Sequence, residues 1–111
     1  MRLIELEPRW ASEYGHSDDV KQGVTFLCPH CRARRLGVFF DKSICGTPPI
    51  DLVAFNRARL RADNDPYDDV HVGSTLWHRE GETFDTLTLS PSIDASAFGC
   101  WHGFITAGEI K

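Results

Sequence analysis

Residues 2–7 roughly alternate apolar and charged side chains (Arg2, Leu3, Ile4, Glu5, Leu6, Glu7), which predicts a half-buried first strand ended by Pro8. Residues from Ser12 to Gln22 are polar, with Gly15, His16 and the Asp18–Asp19 pair among them, and read as a loop. The β-branched and aromatic run Gly23-Val24-Thr25-Phe26-Leu27 predicts a second strand that leads straight into Cys28. Leu36 to Phe40 predicts a third, so Cys28-Pro29-His30-Cys31 falls at the tip of a hairpin.

The middle of the chain is less periodic. Cys45-Gly46-Thr47-Pro48-Pro49 reads as a turn or loop, and 51–62 as a short helix with Leu52, Phe55 and Leu60 near one face, broken at Asn64-Asp65-Pro66. In the last third, Thr75-Leu76-Trp77-His78 and Phe84 to Leu89 predict two strands joined around Gly81. Ser90-Pro91-Ser92-Ile93 is expected to end that run. Trp101 to Ile105 and Glu109 to Lys111 predict a final hairpin about Ala107-Gly108. The pattern as a whole is mainly β, or a β-rich α+β arrangement if the helix forms. With no repeat, linker or low-complexity segment, residues 1–111 read as one compact domain.

Composition adds three points. Hydrophobic residues at 41% and charged residues at 25% are a globular balance. A domain of 111 residues buries a modest share of its surface and gains from a staple between distant segments. The net charge of −4 disfavours nonspecific attraction to nucleic acid, although Arg32, Arg34 and Arg35 form a local basic cluster. Arg57, Arg59 and Arg61 form another, and Asp63, Asp65, Asp68 and Asp69 an acidic one; solvated faces are the plain reading of all three. The charged N-terminal segment does not resemble a signal peptide, and no apolar run reaches the roughly 18 residues of a membrane span. The expected compartment is therefore the cytoplasm, where thiols stay reduced and cysteines point to metal or catalysis.

Cys28-Pro29-His30-Cys31 has the C-x-x-C spacing with which two thiolates grip one ion from a tight turn, and Cys100-Trp101-His102 supplies a distant second pair. Three cysteines and one histidine make a tetrahedral zinc set, so Cys28, Cys31, Cys100 and His102 are the expected ligands. Residues i and i+2 of a strand face the same way, which would let Cys100 and His102 act together. His30 or Cys45 could replace His102, and C-x-x-C also serves redox chemistry. His16, His71 and His78 are isolated and read as ordinary histidines. Structural zinc contributes an apparent binding free energy on the order of 10–16 kcal/mol, comparable with the stability of a whole domain.

Thr88-Leu89-Ser90-Pro91-Ser92-Ile93, followed by Gly99-Cys100-Trp101-His102-Gly103-Phe104-Ile105, resembles a small phage and prophage family of uncharacterised function. Its members share a C-x-x-C-type knuckle, an L-S-P-S-I segment, and then Cys and His before an aromatic-x-Ile strand and a Gly turn. The resemblance covers mainly residues 24–40 and 75–111. Many relatives space the Cys and His by two residues where this chain has one. Some carry the label ammonia monooxygenase, for which this chain has no copper site or membrane span. Others are encoded beside ubiquitin-like conjugation genes, which implies a zinc peptidase role for them.

Three functions follow from these features. The first is a noncatalytic zinc-stabilised accessory protein of a phage or mobile element, binding a host or phage protein. Trp10, Trp77 and Trp101 would serve it as contact residues or as core. The second is a zinc hydrolase with an open coordination position. Asp94 would be its preferred base, ahead of Glu80 and Glu82, and Ser90 and Ser92 would orient substrate. An ordinary turn or cap is the plainer role for Asp94. The third is nucleic-acid binding through Arg32, Arg34 and Arg35.

Overall fold

In a computed structural model of the chain, residues 1–44, 48–59, 65–73, 75–96 and 99–111 are described. Leu3 and Leu6 are both fully buried while Ile4 between them is half exposed. Burial at a spacing of three suits a 3-10 turn, and Leu3–Leu6 forms one in place of the expected strand. The Arg2 N–H donates to Glu5 Oε2 at 2.6 Å at its start, and Glu7 turns left-handed (φ 49°) at its end.

Among the described residues nine strands follow: β1 (Arg9–Ser12), β2 (Gly15–His16), β3 (Lys21–Leu27), β4 (Arg35–Ile44), β5 (Val70–Val72), β6 (His78–Glu80), β7 (Thr88–Asp94), β8 (His102–Thr106) and β9 (Glu109–Ile110). The α-helix α1 (Leu52–Arg59) lies inside the span predicted for it. The fold is mainly β, as the patterning predicts. Two sheets form, a five-stranded one of order β2-β1-β3-β4-β5 and a four-stranded one of order β6-β7-β8-β9. Every neighbouring pair is antiparallel except β4 and β5.

The period-two rule explains the layers. Leu36, Val38 and Phe40 of β4 join Trp10, Val24 and Phe26 in a core against Leu89, Ile93 and Ile105 from the second sheet and Leu87 just before β7. Phe39, between them in sequence, points to the opposite face. There it meets Phe55 of α1 at 5.2 Å and Tyr67 at 6.0 Å in a second cluster with Ile50, Leu52 and Val70. The sheets are tied along one side where Trp77 bridges Phe40: the Trp77 N–H donates to Phe39 O and the Asp41 N–H to Trp77 O, each at 2.9 Å. The Cα radius of gyration, 12.9 Å, is that of one domain of this length.

The C-terminal elements depart from the predicted ones in register. Residues around Phe84 form a turn, closed by the Thr86 N–H donating to Thr83 O at 3.2 Å, and the strand begins only at Thr88. From that turn Phe84 stacks on Trp10 with ring centroids 4.3 Å apart. Ser90-Pro91-Ser92-Ile93 lies inside β7 instead of ending it. The pairing with β8 shifts register between Leu89 and Ile93, which accommodates a proline that has no N–H to give. The last hairpin forms as expected, its turn made by Ala107 and Gly108 at positive φ (47° and 75°). No described helix is long and apolar enough to cross a membrane.

Candidate metal centre

β3 delivers Cys28 to the end of the inter-sheet core, where it is fully buried. Its N–H donates to Arg34 O and its carbonyl accepts from the Arg32 N–H, both at 2.8 Å, which folds residues 28–34 into a tight turn before β4. Arg32 takes a left-handed φ of 54° within it. The N–H groups of Ala33 and Arg34 donate to the Cys31 thiol. These donors lower the pKa of the exposed Cys31 thiol to about 7, with smaller help from Cys28 and Cys100.

The second sheet supplies the third thiol. Beyond β7, the Asp94 carboxylate accepts from the Ser96 N–H (2.9 Å) and hydroxyl (2.6 Å). The Gly99 N–H donates to Ser96 O (3.0 Å), the Cys100 N–H to Ala95 O (3.1 Å), and the Ala95 N–H to Trp101 O (2.9 Å). This closed loop holds Cys100 against the core. Trp101 braces it, its ring edge-on to Phe26 at 6.2 Å and lying over Gly103, where an added Cβ would come within 2.6 Å of the indole. Burial raises the Cys100 pKa, and the neighbouring Cys28 and Cys31 raise it further.

The outcome is a group of three sulfurs, Cys28, Cys31 and Cys100, all within 4.8 Å of one another. Tetrahedral zinc with bonds of about 2.3 Å holds its sulfurs about 3.8 Å apart, so the set needs only a slight contraction to close on an ion. The three thiols could hold a metal ion, and soft thiolate donors suit zinc.

The fourth expected ligand stands differently. His102 is not in the group formed by the three thiols. Cys100 lies in the loop and His102 is the first residue of β8, so the two do not share a strand face in the predicted way. The His102 side chain is exposed, and its Nε2 lies 3.3 Å from Ser92 Oγ. His30 is exposed on the knuckle and is also outside the group, and Cys45 lies outside the described residues.

The other singled-out residues take mainly structural positions. The Asp94 carboxylate is engaged by Ser96, which lowers its pKa, and it faces His102 across the β7–β8 pair. Ser90 is exposed and pairs with His78. Glu80 is exposed in β6 and Glu82 in the following turn. In the basic cluster, Arg34 lies 3.2 Å from His71 Nε2, and the Arg35 guanidinium donates to the Glu7 carbonyl. Arg59 pairs with Asp65 at 2.7 Å and donates to Tyr67 O at 2.8 Å, so these members of the middle charge clusters brace the segment after α1. Arg61 and Asp63 lie outside the described residues.

The sequence pattern does not reveal the short strand β1, the parallel strand β5 or the role of Arg32, and the span 12–22, expected to be a loop, holds β2 and the start of β3. The signal for Arg32 is its place just after the second knuckle cysteine, where the turn that directs N–H groups at that sulfur requires a positive φ. No family model matches the chain, and neither the curated proteins nor the solved structures include a match to it.

Proposed function

We propose that the chain is a zinc-stapled accessory protein of a phage or mobile element, working in the host cytoplasm by binding a host or phage protein. The observation that carries the metal part is the convergence of Cys28, Cys31 and Cys100 from two separate sheets. A zinc ion there would join the β3–β4 turn to the β7–β8 loop at one end of the core. His102 is the proposed fourth donor; it would have to turn its ring away from Ser92 to reach the ion. The phage part rests on the resemblance in residues 88–105, and the binding role on the small size of a domain whose cysteine cluster fits a staple.

The experiment is elemental analysis of the purified wild type and of His102→Ala, with pull-down from host and phage-infected lysates using the zinc-loaded chain and mass spectrometry of what is retained. Zinc lost in His102→Ala supports the fourth ligand; zinc kept at full occupancy rejects it. The hydrolase reading is second, favoured by the count of three converging thiols, which leaves a coordination position for water. Asp94 as its base is disfavoured by the two hydrogen bonds from Ser96.

A further inference from the structure

The three thiols are unequal. Cys28 is fully buried, Cys100 half-buried, and Cys31 exposed at the tip of the knuckle. An oxidant arriving from solvent therefore meets Cys31 first. Two more sulfurs wait within 4.8 Å of it, close enough to trap an oxidised sulfur after a small movement. Cys28 shares the tight turn with Cys31, whereas Cys100 is held in a separate hydrogen-bonded loop.

We propose that Cys31 is a site of oxidative modification by peroxides, resolved by Cys28 as a disulfide, so that oxidation opens the link between the two sheets. The proposal rests on the metal reading above for its consequence, and on the thiol geometry for its chemistry. In the first step the Cys31 thiolate attacks one oxygen of hydrogen peroxide. The O–O bond breaks, hydroxide leaves, and Cys31 becomes a sulfenic acid. In the second the Cys28 thiolate attacks the Cys31 sulfur, the S–O bond breaks, a second hydroxide leaves, and the S–S bond forms. Two thiolates have lost two electrons and the peroxide has gained them; both hydroxides become water by taking protons from solvent. A divalent metal held by Cys28, Cys31 and Cys100 would lose two of its three thiolates and be released as the free ion.

The test uses the full-length wild-type protein, hydrogen peroxide as the probe, a chromogenic chelator to follow zinc, and peptide mass mapping. Peroxide should release zinc at least about ten times faster than the untreated control, with two thiols lost and a Cys28–Cys31 disulfide mapped. Dithiothreitol and added zinc should restore the starting state. The proposal is overturned if zinc stays bound while peroxide is consumed elsewhere, if Cys31 goes to a sulfinic acid without a disulfide, or if the mapped disulfide joins Cys31 to Cys100. A preparation with no zinc at the outset would sink the metal reading alone. In that preparation, loss of two hydrogens at Cys28 and Cys31 on peroxide treatment would still support the relay, and its absence would reject it.

Discussion

The sulfur of Cys28, fully buried at the end of β3, lies within 4.8 Å of the sulfur of Cys100 in the loop between β7 and β8. The two flank strands of different sheets, which also meet through apolar packing, the Trp77 bridge and the Arg79 guanidinium donating to Lys42 O at 2.9 Å. An ion held by both would act as a short tether across the core, adding its binding free energy to the folded state.

Removing that ion should therefore destabilise the fold. Chelation is expected to cost about 4 kcal/mol or more, as for a ligand present far above its dissociation constant. In a domain of this size that lowers the thermal midpoint by at least about 10 °C. Scanning calorimetry with and without chelator measures it. Cys100→Ala should melt like the chelated wild type and gain nothing from added zinc; an unchanged midpoint on chelation would remove the structural role.

Gly103 sits under the Trp101 indole, with no room for a Cβ. Gly103→Ala should push the ring off, loosen its edge contact with Phe26 and cost about 1–3 kcal/mol, the usual range for overpacking. Urea unfolding followed by tryptophan fluorescence reads both effects. The same variant should bind zinc more weakly, because Trp101 braces the loop that carries Cys100.

The patterning of apolar residues makes the core strands legible. Gly23 to Leu27 and Leu36 to Phe40 lie within β3 and β4, and the knuckle between them follows from their hairpin. What the pattern hides is non-local. The burial of Leu3 and Leu6 looks like strand alternation until the exposure of Ile4 reveals a spacing of three. Val70 to Val72 forms a strand only because β4 offers a parallel edge, a pairing no neighbouring residue announces. In the site, the spacing of Cys28 and Cys31 is local and readable, and Cys100 is found by its chemistry. The orientation of His102 depends on where β8 starts, which the alternation of a few residues does not set.

Tyr67 links the helix-side core to β1, its buried hydroxyl donating to Ser12 O at 2.6 Å. Burial pushes its pKa up to about 12, above the ordinary value near 10. The folded state thus keeps the phenol proton longer than the unfolded chain. This contribution is complete below about pH 10 and is lost as pH rises toward about 12. Tyr67→Phe should lower stability by about 1 kcal/mol at neutral pH and flatten this part of the alkaline decline. Denaturant titrations from pH 9 to 12 compare the two proteins.

Asp94 serves the turn after β7 by accepting two hydrogen bonds from Ser96, which hold its pKa below the usual carboxylate value. With a depressed folded-state pKa, its contribution is present above the unfolded-state value and fades as pH falls through the folded one. Asp94→Asn should lower the thermal midpoint slightly at neutral pH, reduce the acid sensitivity of that midpoint, and leave zinc content unchanged. Loss of a metal-dependent hydrolysis on the same substitution would instead restore Asp94 as a base.

If one metal ion joins Cys28, Cys31 and Cys100, the metal content per chain reveals it. Protein purified from reducing cytoplasm without an affinity tag that binds metal should contain about one zinc per chain. The double variant Cys28→Ser with Cys100→Ser should contain none. No zinc in the wild type, or full zinc retained by the double variant, would mean that these thiols do not hold a zinc ion.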